Sequence, residues 1–210
     1  MKRVNVLVIS LVHLLVAISS PCTTANEVVR DIKGEIVRAD TRYFVMPVRR
    51  GSGGGVRRGP ILDVGNGVGD TNFSCPSQVV QSPEEEDKGM PVFFNPTDTN
   101  KVEITESTYL YIDFYRRNHL ICNNTVWKVE KDQNSFLSTN GNPSKDDTWF
   151  QIKKSNDSSY KLVYCEDIVL CHDIGIIVSS GERRLSLNIN ETFQVVLIKD
   201  TRFGINSNII

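Results

Sequence analysis

The chain has 210 residues, 24 lysines and arginines against 25 aspartates and glutamates, and a net charge of −1. So balanced a chain argues against nucleic acid as its natural partner. Five cysteines in a chain of this size turn attention to compartment and to disulfides.

The first 25 residues read as a secretion signal. Lys2 and Arg3 precede an apolar run of about fifteen residues ending at Ile18, and small and polar residues follow to Ala25. The run is interrupted by Asn5, Ser10 and His13 and is short for a membrane span, and no later segment approaches eighteen apolar residues. Cleavage is expected after Ala25, within a residue or two. It removes Cys22 and both early cations, which takes the net charge to −3 because residues 1–25 hold no carboxylate. The expected product is a single secretory domain over residues 26–210, outside any membrane and large enough for a real core.

Four cysteines remain: Cys75, Cys122, Cys165 and Cys171. Their spacing lacks the paired Cys and His signature of a tetrahedral zinc site, so structural disulfides are expected and no metal or other cofactor. A local Cys165–Cys171 loop and a longer Cys75–Cys122 loop are the preferred pairing, although spacing alone leaves crossed pairings open. On the chain-entropy estimate the two closures stabilise by about 2.4 and about 4 kcal/mol.

From residue 26 on, no window carries a helical period, whereas short apolar or alternating runs recur. Strands are predicted at 43–48, 92–94, 102–105, 109–115, 126–130, 149–153, 160–164, 175–178, 185–187 and 193–199, rich in β-branched and aromatic residues. Asn66-Gly67, Asn95-Pro96, Asn140-Gly141, Asn142-Pro143 and Ser180-Gly181 are predicted turns. The fold class is all-β. Three segments of about sixty residues, each able to hold four strands, hint at an internal threefold.

Catalytic chemistry finds little support. Only His119 and His172 follow the leader, and neither lies near a nucleophile motif. The run Glu84, Glu85, Glu86, Asp87 reads as a solvated loop. Residues 51–55 (Gly-Ser-Gly-Gly-Gly) lack the Lys-Ser/Thr of a phosphate cradle and read as a flexible or tightly turned loop. The arginine pairs at 49–50, 57–58 and 183–184 are dispersed, not a nucleic-acid patch. Four glycosylation sequons begin at Asn72, Asn123, Asn156 and Asn190, of which Asn156 has the most loop-like setting.

Residues 29–37 (Val-Arg-Asp-Ile-Lys-Gly-Glu-Ile-Val) with Tyr43-Phe44-Val45 resemble the N-terminal signature of the soybean-type Kunitz inhibitor family. Cys75-Pro76, Val79-Val80-Gln81, Asp87-Lys88-Gly89, Trp127, Trp149-Phe150, residues 160–165 (Tyr-Lys-Leu-Val-Tyr-Cys), Asp173-Ile174-Gly175-Ile176 and Arg183-Arg184-Leu185 follow in the family's order. The Gly-rich loop and the Cys165 region look most like the plant miraculin-like branch.

The resemblance implies a β-trefoil, six strands forming a barrel and six capping it as hairpins in a pseudo-threefold. It also implies pairing of the first two and of the last two of these cysteines. It further implies a monomeric, secreted or vacuolar plant defence protein whose partner is a target protease, serine type first, with cysteine and aspartic types also known in the family. The reactive loop falls on Asn95, Pro96, Thr97, Asp98, Thr99, Asn100 and Lys101. Asp98 stands at or beside the position where strong trypsin inhibitors present Arg or Lys, and Ala39 stands where they carry a bracing asparagine. Weak or redirected specificity is therefore expected, the alternative being a non-inhibitory trefoil used for binding or storage.

Overall fold

The computed structural model describes residues 26–59, 62–63, 73–115, 123–167 and 170–202. Asn66-Gly67, the leader, His119, Cys122 and Asn72 lie outside them. Within the described residues, six strands close on one another as a barrel: β1 (Tyr43–Pro47), β6 (Val92–Pro96), β7 (Leu110–Phe114), β10 (Phe150–Asn156), β11 (Ser159–Cys165) and β15 (Gln194–Lys199). Each pairs antiparallel with the next in the ring β1-β6-β7-β10-β11-β15, and β15 returns to β1 with Tyr43 opposite Lys199. The period of two decides which side chains fill it. Leu110, Ile112 and Phe114 of β7 point inward with Val92 and Phe94 of β6, while Tyr111, Asp113 and Phe93 stand on the other face.

Three hairpin pairs cap one end: β2 (Val56–Arg58) with β5 (Val79–Gln81), β8 (Lys128–Val129) with β9 (Leu137–Ser138), and β13 (Gly175–Ser179) with β14 (Glu182–Ser186). They meet one another around the axis through Gln81 opposite Arg183, Phe136 opposite Ser186 and Gln78 opposite Ser138. Barrel strand, cap pair and barrel strand thus recur over residues 43–96, 110–156 and 159–199. This is the β-trefoil expected from the sequence. Short strands β3 (Leu62–Asp63), β4 (Phe73–Ser74) and β12 (Cys171–Asp173) complete the set, with one 3₁₀ turn at Asp146–Thr148. Among the described residues no helix is long and apolar enough to cross a membrane.

Most long runs with β-rich composition are strands within a residue or two of their predicted limits. Three differences have physical causes. Asn95-Pro96 is the end of β6, opposite Tyr111 and Leu110, because proline is tolerated where the ladder stops. The chain turns instead over residues 98–101. Residues 102–105 make only isolated bridges, Glu103 with Arg38 and Thr105 with Val28, since the segment they meet is broken by its own turn at Gly34. The cap strands β2, β5 and β9 are too short to show a period and form through their partners. Ser180-Gly181 is a turn as predicted: both residues are left-handed (φ 52° and 80°), which matches the twist of a two-residue hairpin.

One carboxylate, Asp173, ties the last repeat together, and another, Asp200, joins the chain after β15 to the segment before β1. Asp173 accepts from Lys161 Nζ at 2.9 Å and from Thr192 Oγ1 at 2.7 Å. Asp200 accepts from Arg202 Nε at 2.8 Å, with Arg42 at 3.8 Å. Burial acts to raise both, but the hydrogen bonds and neighbouring cations outweigh it and hold both below the ordinary value of 3.8. A depressed carboxylate contributes stability that is present above its unfolded pKa and is lost as pH falls through the folded one. Thermal stability should therefore be flat from neutral pH to about 5 and drop below about 4 on this account. The variants Asp173→Asn and Asp200→Asn should flatten that acid limb in melting curves recorded against pH.

Candidate reactive loop

β1 begins opposite the start of β6, with Tyr43 facing Val92. Because the two run antiparallel, the β6–β7 connection leaves the barrel at the end where β1 begins, away from the hairpin cap. This connection holds the segment expected to be reactive. Asn95 and Pro96 are its fixed base within β6. Thr97 donates its N–H to Tyr109 O at 3.1 Å, closing the neck of the loop against β7, and its hydroxyl reaches the same carbonyl at 3.3 Å. Residues 97–101 are exposed.

The tip is a turn. Lys101 N donates to Asp98 O at 3.0 Å, and Asp98 Oδ1 accepts from Asn100 N at 3.2 Å and from Asn100 Nδ2 at 3.3 Å. The Asp98 side chain is thus folded back on its own backbone, as short polar residues in turns commonly are. Beyond Lys101 the chain is anchored again. Val102 O accepts from Ala39 N at 2.8 Å, Ile104 N donates to Val37 O at 2.9 Å, and Val29 N donates to Ile104 O at 2.9 Å, with Ile104 buried in the core. Beside this anchor, the hydrogen bond from Arg38 and that from the Thr41 hydroxyl hold the Asp40 carboxyl below its usual range.

Ala39 therefore braces the loop, through its backbone and at the C-terminal arm. Its methyl group offers nothing to the tip. That backbone role left no trace in residue type, since any residue but proline has the same N–H.

The other expected features fall as follows. Cys165 and Cys171 form a disulfide across the β11–β12 ladder with their Cα atoms 4.0 Å apart. Cys75 is disulfide-bonded, and its expected partner Cys122 lies outside the described residues. Arg57 and Arg58 are strand residues of β2. Arg58 is buried, with Nη2 donating to Pro76 O at 2.6 Å, so this pair offers no exposed bond to a protease. His172 lies 3.8 Å from Glu166, and among the described residues no group of three or more His, Cys, Asp or Glu could hold a metal. Asn123, Asn156 and Asn190 are exposed, Asn156 at the β10–β11 turn, where its Oδ1 accepts from Ser158 N at 3.1 Å.

A capped six-stranded barrel displaying this loop is mirrored in the family comparison, where residues 29–199 match the Kunitz legume model described as trypsin and protease inhibitor. The chain belongs to this Kunitz family. It is 30% identical over 198 residues to Kunitz trypsin inhibitor 3 of Arabidopsis thaliana, covering 91% of this chain and 86% of that one. It is 33% identical over 198 residues to miraculin of Synsepalum dulcificum, covering 83% and 86%. The soybean trypsin inhibitor structure superposes with a TM-score of 0.67 at 27% identity, over 83% of this chain and 99% of that one. The Kunitz assignment thus rests on the whole trefoil and on no single motif.

Proposed function

We propose that this protein is a secreted inhibitor of serine proteases that offers residues 95–101 to the protease cleft. The observation that carries the reading is the exposed loop tied down on both arms by backbone hydrogen bonds, in a chain of the Kunitz family. Arms held this way lose little conformational freedom on docking, and once the loop is cleaved they keep its new ends in place for religation. Inhibition then follows from geometry, with no catalytic group on the inhibitor.

Specificity is redirected away from trypsin-like enzymes. Their primary pocket carries a carboxylate, and bringing Asp98 against it opposes two like charges in a desolvated space. The turn over 98–101 adds a second cost, because a substrate segment lies extended in the cleft and the Lys101 N to Asp98 O bond must open first. Titration of the mature protein against trypsin, chymotrypsin, elastase, subtilisin and papain tests the proposal. Inhibition of at least one enzyme, with trypsin among the weaker, is the expected outcome; silence against all five at micromolar protein would sink it.

The folded-back Asp98 and the absent side-chain brace at Ala39 favour one second reading, a trefoil that binds or stores without inhibiting. Silence in the same titration is what it requires. Secretion to the extracellular space or the vacuole is part of the proposal, supported by the N-terminal composition and by exposed sequons at Asn123, Asn156 and Asn190. Protein recovered from the medium of secreting cells should begin within a residue or two of Asn26 by N-terminal sequencing. A start at Met1 would overturn the leader.

A further inference from the structure

At the capped end of the barrel, a surface cavity of about 310 Å³ opens between the end of β1, the β13–β14 hairpin and the start of β15. It lies away from the reactive loop, because Pro47 and Val195 pair at the end of β1 opposite to the one the loop leaves from. Its volume is at the lower end of the range for small-molecule sites. Ile176, Val178 and Phe193 give it an apolar wall, and Val178 is 66% exposed there.

Arg183 lines the same cavity and is clamped. Its Nε and Nη2 donate to Gln81 Oε1 at 3.0 and 2.8 Å, and Nη2 also donates to Ser52 O at 2.9 Å. Gln81 is itself held by donating Nε2 to Gly54 O at 3.0 Å. Every one of these acceptors is neutral. Among the described residues no carboxylate lies within ion-pair distance of Arg183. The other charges facing the cavity, Arg49 and Glu191, pair with each other at 3.4 Å and are mostly exposed.

The Gly-rich run at 51–55 builds this frame. A Cβ at Gly54 would stand 2.1 Å from Glu84 O, and one at Gly55 would stand 2.0 Å from Lys88 O. Glycine lets the loop press onto the segment after β5, with Gly54 N donating to Ser82 O at 2.8 Å and Gly55 N to Asp87 O at 2.7 Å. That contact brings Gly54 O to Gln81 and Ser52 O to Arg183. The result is a preorganised guanidinium with its Nε and Nη2 donors bonded to neutral acceptors and no carboxylate partner among the described residues, beside an apolar wall.

We propose that this cavity binds a small amphipathic carboxylate, its acid group on Arg183 and its apolar body along Ile176, Val178 and Phe193. With Nε and both N–H groups of Nη2 taken, a carboxylate would accept from Nη1 and supply the missing charge. The site is independent of the inhibitory reading, since the two surfaces lie at opposite ends of the barrel.

Calorimetric titration with 2-naphthoate, and with 2-naphthamide as its neutral counterpart, tests the site. The acid should saturate one site and the amide should bind at least about tenfold more weakly. Val178→Asp, at a position exposed enough to leave folding intact, should weaken the acid by at least about tenfold through like-charge repulsion while leaving protease inhibition unchanged. Arg183→Lys keeps the charge but loses the clamp on Gln81 Oε1 and Ser52 O that aims it, and should weaken the acid; undiminished affinity in that variant would count against the site. Absence of saturable binding, equal binding of acid and amide, or indifference to Val178→Asp would each overturn the proposal.

Discussion

Arginine introduced at Asp98 or at its neighbour Thr99 should tighten trypsin inhibition by roughly two to three orders of magnitude, the larger gain marking the residue that enters the primary pocket. Three effects act in the same direction. The like-charge opposition at the pocket is removed, and a close pair with the pocket carboxylate replaces it; such buried pairs couple by about 1.5–7 kcal/mol across interfaces. At position 98 the substitution also releases the Asn100 bonds that fold the tip back, at 3.2 and 3.3 Å, so the turn opens more readily toward an extended form. The anchors at Thr97 and Val102 are backbone bonds and survive either change. Adding Ala39→Asn should supply side-chain bonds to the loop, worth about 1 kcal/mol or roughly fivefold. The measurement is the inhibition constant for each variant, with circular dichroism confirming an unchanged fold. An unaltered constant in every folded variant would show that trypsin meets some other surface.

The sequence revealed the barrel more fully than the cap or the loop. β7 and β15 are legible because each is long enough for inward and outward residues to alternate, as with Leu110, Ile112 and Phe114. The cap strands β2 and β9, three and two residues long, carry no period. They become strands only when the threefold contacts around Gln81, Ser138 and Ser186 form, which no local pattern encodes. At the loop, residue types gave the expectation of a poor trypsin bait at Asp98 but not the turn in which its carboxylate accepts from Asn100. Nor did they announce the Ala39 N–H, a group common to nearly every residue. The Gly-rich run reads in the sequence only as a loop. Its purpose was invisible until Ser52 and Gly54 were seen placing carbonyls against Arg183 and Gln81.

The largest stability effect should come from Trp127, where barrel and cap meet. Its side chain is fully buried, with ring centroids 5.2 Å from Phe114 and 6.4 Å from Phe150. Trp127→Ala removes the bulk of a close-packed aromatic cluster and should cost about 3–5 kcal/mol, a large part of a domain's net stability. Trp127→Phe should cost far less, and the reason is specific to this site. The indole Nε1 is buried with no acceptor among the described residues, so its N–H has given up water without a replacement bond. Phenylalanine deletes that unmet donor while keeping most of the ring, so relief of about 1–3 kcal/mol offsets the lost packing. Urea unfolding of both variants, followed by circular dichroism, should place Trp127→Phe within about 1.5 kcal/mol of the parent and Trp127→Ala at least about 2 kcal/mol below it. If the phenylalanine variant loses as much as the alanine variant, the indole N–H is bonded in solution and the cap closes around Trp127 by a polar contact as well as by packing.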